Sequence, residues 1–220
     1  ASVANAVNAA GAGEFAAASA SPAARFLPEI VRDGLEEAVR AAREADVAIV
    51  FVGNHPLIGG KETMDRDGIA LPERQERLIR AVHAANPNTV VVIVGSYPYA
   101  VEWAAERVPA IVYTAHGGQE AGNAIADVLF GGFNPAGRLN MTWYRNGDDL
   151  PDIMDYDIIK GGRTYRYYGG KPLFAFGHGL SYSEFRYGGL SISGGPIGIG
   201  RTIAVAFDVT NVSGRAGEEV

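Results

Sequence analysis

The chain has 220 residues, 47% of them hydrophobic and 20% charged, with a formal net charge of −6, so it reads as soluble and globular with a sizeable core. No basic cluster interrupts the acidic balance, and no run reaches the roughly 20 apolar residues of a transmembrane helix; nucleic acid and membrane are therefore not expected partners. The absence of cysteine excludes disulfides and thiolate zinc sites.

Residues 1–25 are rich in Ala, Gly and Ser and weakly patterned, without the charged start and clean apolar core of a signal peptide. They are expected to be flexible or a poorly fixed edge, with order beginning near Phe26. Ile30, Leu35, Val39, Ala42 and Ala45 recur at helical spacing and predict a helix over 29–44. The unbroken apolar run 47–52 predicts a buried parallel strand. A long loop follows, carrying Asn54, His55, Lys61, Glu62, Asp65, Arg66 and Asp67. Pro72, at a first helical position, opens an amphipathic helix through Leu78, Ile79 and Val82 that Asn86-Pro87 ends.

Residues 89–94 predict a second buried strand and 110–114 a third. Between them Ser96 is expected to cap a short helix through Trp103, ended at Val108-Pro109. After the third strand Gln119-Glu120 leads into a helix closed by Phe130-Gly131-Gly132. Such alternation calls for right-handed crossovers. The expected fold class is thus α/β, a mainly parallel sheet sandwiched by helices over 26–187. Within it, 138–142 reads as a strand and 148–157 as an acidic surface segment. Residues 188–220 read as the beginning of a β-sandwich module, with Ile203, Val205, Phe207 and Val209 alternating as a half-buried antiparallel strand. The last residues stop without a capping or turn signal, which reads as a piece of a longer chain.

Familiar chemistries fail on spacing. Gly53-Asn54-His55-Pro56-Leu57-Ile58 lacks the dinucleotide glycines, and Gly60-Lys61-Glu62 is not the end of a phosphate loop. Ser96 lacks glycines two residues to either side, as a hydrolase elbow requires, and a capping role suits it better. The four histidines show no paired spacing of metal-ligand type, so neither metal nor cofactor is expected. His55 stands where it can line a pocket, whereas His83 lies on a helix face and reads as structural. For His116 and His178, beside glycines, a ligand contact and a plain turn role both fit.

Carboxylates remain. In open α/β sheets ligands bind beyond the carboxyl ends of the strands, which is where the long charged loop leaves the first predicted strand. Glu62, with Lys61 before it and Asp65-Arg66 after it, has neighbours able to hold and tune an acid. The competing reading is a solvated loop whose carboxylates pair with Lys61 and Arg66 at little energetic gain.

Several ordered blocks resemble the second domain of the family 3 glycoside hydrolases. They are Lys61-Glu62-Thr63-Met64-Asp65-Arg66, Leu71-Pro72-Glu73-Arg74-Gln75-Glu76-Arg77-Leu78-Ile79, Gln119-Glu120-Ala121-Gly122-Asn123, Asn134-Pro135-Ala136-Gly137-Arg138-Leu139 and Phe176-Gly177-His178-Gly179-Leu180-Ser181-Tyr182. Residues 205–220 resemble the start of the fibronectin type III-like module that follows in many members. The resemblance implies retaining hydrolysis of β-linked glucosides or xylosides, with a nucleophilic aspartate on an amino-terminal (β/α)8 barrel of the same full-length protein. It implies that Glu62 is the acid/base, although Thr63 stands where glycine is common in the motif. Some members place that group at the position of Asn54, but an amide cannot donate a proton in this way, which adds weight to Glu62. His55, Asp65 and Arg66 become candidate substrate-binding residues, with bracing of the loop an equal role for Asp65 and Arg66.

A β-linked oligosaccharide or glycoside is the implied substrate, and the resemblance leans towards a secreted or periplasmic location. Glu120 reads as a complement to a helix dipole and the aromatic run 165–168 as packed surface. The alternatives are an accessory domain of a β-N-acetylglucosaminidase and a non-catalytic carbohydrate-binding or structural module.

Overall fold

The computed structural model describes residues 3–6, 34–55, 60, 65–194 and 198–220. It divides into two compact units, Ala1–Gly117 with Met141–Phe176, and Gly118–Asn140 with Gly177–Val220.

The first unit is built on a four-stranded sheet in the order β1 (Val3–Ala6), β2 (Val47–Gly53), β3 (Thr89–Val94), β4 (Ala110–Thr114), every pair parallel. β1 was not anticipated, because Val-Ala-Asn-Ala carries no apolar run; it pairs Val3 with Val47 and Ala6 with Val50 along the edge of β2. The central strands are apolar but for Thr89 at the start of β3, because both their faces are covered: Val50, Val91, Val92 and Ile93 have no exposed surface. Burying each such side chain contributes about 1.5–3 kcal/mol.

Helix α1 (Leu35–Glu44) packs on α2 (Glu73–Ala85) and β1, and α2 on β2 and β3, while α3 (Glu102–Arg107) lies against β4. The predicted first helix is present from Leu35, and its expected residues 29–33 lie outside the described ones. Pro72 is the N-cap of α2 rather than its first helical residue, with an extended ψ of 137°. α1 ends in carbonyls that have no helical partner. The buried Asn86 side chain serves this end, its Nδ2 donating at 2.9 Å to Ala42 O, which also accepts from Ala45 N at 3.4 Å, and at 2.8 Å to Ala45 O, while its Oδ1 accepts from Asn88 N at 2.9 Å.

Helix α3 begins at Glu102, not after Ser96. The chain forms no helix between Ser96 and Ala100, because Tyr99 is 1% exposed in the core and Ala100 bridges to Ala70, its N donating to Ile69 O at 2.8 Å. Tertiary burial thus overrides the local capping signal. Trp143, also 1% exposed, meets Tyr99, Tyr113 and Phe174 edge on, with ring centroids 6.5, 5.0 and 5.9 Å away. It exchanges main-chain bonds with residues 173–174 as an isolated bridge.

The second unit holds α4 (Ala121–Leu129) and an antiparallel pair, β5 (Phe185–Ser193) with β6 (Ala204–Asn211). α4 closes as predicted, Gly131 adopting φ 78° just beyond it. The strand predicted over 138–142 does not form. Leu139 alone exchanges bonds, donating to His178 O at 2.8 Å and accepting from Gly177 N at 2.7 Å. Asn134 ties this unit together: its Oδ1 accepts from Ser181 Oγ and Tyr182 N, and its Nδ2 donates to Ser183 Oγ and Ala216 O. β6 is antiparallel as expected but exposed along its whole length rather than half-buried. Among the described residues no second sheet lies on the pair to cover Val205, Phe207 and Val209.

Candidate functional site

All strands of the parallel sheet finish at one edge, and three chain segments leave it there, after Gly53, Val94 and Thr114. Gly53 takes φ 133°, and a Cβ at that position would stand 1.8 Å from Val94 O, so only glycine fits. Its amide and carbonyl face Gln75 of α2, a side chain 4% exposed. Oε1 accepts from Gly53 N at 2.9 Å and Nε2 donates to Gly53 O at 2.7 Å. On the opposite side Asn54 N donates to Val94 O at 3.1 Å, and Gly95 N donates to Thr114 O at 2.9 Å. Asn54 Oδ1 and His116 Nε2 are 3.2 Å apart, a contact that joins the exits of β2 and β4 when Nε2 carries its hydrogen.

The loop from β2 to α2 is pinned at several points. Gly60 O accepts from the Tyr97 hydroxyl at 2.6 Å. The Arg66 guanidinium lies over two rings, 4.6 Å from the centroid of Tyr97 and 4.9 Å from that of Tyr99, and Nη1 reaches Pro98 O at 3.4 Å. Such cation–π contacts contribute about 0.5–1 kcal/mol each at exposed sites and more where water is excluded. Further on, Ala70 pairs with Ala100. Tyr99 is buried, and among the described residues its hydroxyl has no well-formed hydrogen bond, only the Arg66 guanidinium beside it. Burial pushes its pKa above the ordinary value of 10.0, against an opposing pull from Arg66. Burial likewise raises that of Tyr113.

Of the four residues singled out for the site, Glu62 lies outside the described ones, in 61–64, with Gly60 and Asp65 flanking that stretch. His55 is exposed just beyond the end of β2 and Asp65 is exposed on the loop. Arg66 is half-buried on the two tyrosines and braces the loop. Ser96 caps no helix. His83 meets Trp103 edge on at 5.7 Å, in keeping with a structural role. Glu120 is the N-cap residue of α4, in the second unit, and accepts from Asn123 Nδ2 at 2.5 Å. Tyr165 stacks on Phe176 at 4.3 Å and Tyr168 meets Tyr144 at 4.8 Å, so the aromatic run is engaged with its own unit. Among the described residues no group of three His, Asp or Glu side chains is placed to hold a metal ion.

Three site residues escaped the sequence reading. Tyr97 and Tyr99 flank Pro98 directly after the carboxyl end of a buried strand, a position that is itself a signal for a ligand edge. Gln75 shares the helical stripe of Leu78, Ile79 and Val82, and a polar residue on a buried stripe implies a buried polar partner.

These features define an α/β domain that offers a long, braced, charged loop at the carboxyl edge of a parallel sheet. The glycosyl hydrolase family 3 C-terminal domain matches residues 2–182, and the chain belongs to that family. It is 41% identical over 216 residues to beta-glucosidase B of Emericella nidulans, covering 86% of this chain and 25% of that protein. A beta-xylosidase of Formosa agariphila is 35% identical over 193 residues, covering 86% and 26%. Among solved structures, a beta-glucosidase from Streptomyces venezuelae in complex with D-glucose superposes with a TM-score of 0.74 at 31% identity, over 87% of this chain and 25% of that one. The chain thus spans about a quarter of the length of these relatives.

Proposed function

We propose that this domain supplies the acid/base of a retaining β-glycosidase of the β-glucosidase or β-xylosidase type. Glu62 carries that role. The observation that carries the reading is the anchoring of both flanks of 61–64 at the sheet's carboxyl edge. Gly60 is held by the Tyr97 hydroxyl and Arg66 by the Tyr97 and Tyr99 rings. A proton donor must be held in place to be effective, and the described flanks of its segment, Gly60 and Arg66, are both anchored.

In the first step an aspartate of the amino-terminal barrel attacks the anomeric carbon as Glu62 gives its proton to the departing glycosidic oxygen. The glycosyl–aspartate bond forms as the glycosidic bond breaks. In the second step Glu62, now a carboxylate, takes a proton from water, whose oxygen displaces the aspartate and restores the original anomeric configuration. His55 and Asp65, both exposed beside this edge, are the candidates for contacts to the sugar. Arg66 acts through the loop. We also read the α/β domain as beginning at β1, which pairs with β2, rather than at residue 26, and as ending where β5 begins, with the β5–β6 pair as the opening of a fibronectin type III-like module.

Kinetics of the complete protein test this. Glu62→Gln is expected to lower kcat/KM on alkyl glycosides and disaccharides by about 10²–10⁴-fold, the usual worth of general acid catalysis. The chain of 220 residues by itself is expected to turn over no aryl β-glucoside or β-xyloside, for want of the nucleophile. Full activity of Glu62→Gln, or turnover by the chain alone, would contradict the proposal.

A further inference from the structure

The buried contact between Gln75 and Gly53 extends this account, and it rests on the acid/base reading of Glu62. β1 pairs with β2 as far as Val50, so among the described residues no strand lies beside Gly53 on the edge of β2 that faces β1. In a parallel ladder the amide and carbonyl of one residue point to the same edge and bond to the neighbouring strand. Left bare in the interior, each would cost about 1–3 kcal/mol. The carboxamide of Gln75 takes the place of the missing strand, accepting from Gly53 N at 2.9 Å and donating to Gly53 O at 2.7 Å. The other edge is held by β3, through Gly53 paired with Val94 and Asn54 N donating to Val94 O. Gly53 is therefore clamped from both sides at the residue where φ 133° turns the chain out of the sheet and into the loop.

We propose that Gln75 is a positioning residue for the reaction: its carboxamide fixes the direction in which the β2–α2 loop leaves the sheet, and so the placement of the acid/base on that loop. Gln75 sits on α2, the element into which the same loop runs, so a single side chain joins the loop's first anchor to its last. A glutamine is needed because the site asks for one donor and one acceptor on one planar group.

The experiment uses the complete protein and two substrates that share a sugar, an alkyl glycoside and a dinitrophenyl glycoside. The alkyl leaving group requires protonation in the transition state, whereas dinitrophenolate leaves nearly unaided. Gln75→Met keeps the length and removes both hydrogen bonds. A misplaced acid should cost about 10²-fold in kcat/KM on the alkyl substrate and much less in kcat/KM on the dinitrophenyl substrate, since that ratio reports the first step and not the breakdown of the glycosyl–enzyme bond common to both. Equal loss on both substrates, or no loss on either, would overturn the proposal, since a merely structural defect removes active enzyme without regard to the leaving group. Should Gln75→Met be insoluble, Gln75→Glu decides. Its carboxylic acid form both accepts from Gly53 N and donates to Gly53 O, so activity relative to the parent should recover as pH falls, and on the alkyl substrate first; a pH-independent or substrate-independent deficit overturns the idea. Glu62→Gln, run alongside, separates the two claims. If it shows no dependence on leaving group, the acid/base reading itself fails; if it does and Gln75→Met does not, only the role of Gln75 is lost.

Discussion

The parallel sheet of the first unit and the β5–β6 pair of the second are both rich in Val, Ile and Phe, yet they meet opposite fates. Val50, Val91, Val92 and Ile93 are wholly buried, whereas Val205, Phe207 and Val209 are 51%, 56% and 45% exposed. The difference lies in layers, not in strand propensity. Helices and the aromatic cluster of Trp143 cover the first sheet, and the second is a two-stranded ribbon with no layer on it among the described residues. A strand pattern therefore reports which face wants burial without reporting what will bury it. For function the lesson is that the covered sheet offers a firm edge on which to mount the loop proposed above to carry the acid/base.

Thermal or urea unfolding of single variants would sharpen this contrast. The largest effect is expected for Ile93→Ala, which opens a cavity at a fully buried position and should cost about 2–5 kcal/mol. Asn86→Ala should come next at about 1–3 kcal/mol, since it strands the carbonyl of Ala45 and leaves that of Ala42 with only the long bond from Ala45 N. Phe207→Ser, on the uncovered ribbon, should fall within about 0.5 kcal/mol of the parent; a loss comparable with Ile93→Ala would show that the ribbon is covered after all.

Tyr99→Phe should change stability near neutral pH least of all, because among the described residues the hydroxyl it removes makes no well-formed hydrogen bond and has only the Arg66 guanidinium beside it. Its effect belongs to alkaline pH. The folded-state pKa of Tyr99 is raised, so the neutral phenol is favoured by folding. That contribution is complete below the unfolded value near 10 and is lost as pH rises through the folded one. The parent should therefore lose stability more steeply than Tyr99→Phe above pH ~10, and parallel alkaline melting curves would argue against the burial of that phenol.

β2, β3 and β4 were legible because each is an unbroken apolar run of strand length between turn signals, and α2 because its buried positions recur at helical spacing. The edge strand β1 was hidden by Ala and Asn, which carry little strand preference of their own. α3 was misplaced because Ser96 offers a good local cap while the burial of Tyr99, a tertiary effect, keeps the chain out of a helix until Glu102. In the candidate site the charged loop and its exit from β2 were legible. The clamp of Gln75 on Gly53, across 22 residues, and the seat of Arg66 on Tyr97 and Tyr99 were not, since both depend on which elements become neighbours.

Chemical rescue of Glu62→Ala in the complete protein tests the central claim most directly. Azide attacks a glycosyl–enzyme bond without needing a general base, so it can replace water once the carboxylate is gone. The account predicts that azide restores turnover of a dinitrophenyl glycoside and yields the β-glycosyl azide, with the anomeric configuration retained. Unchanged hydrolysis by Glu62→Ala, or a slow variant that azide neither accelerates nor diverts to this product, would contradict it.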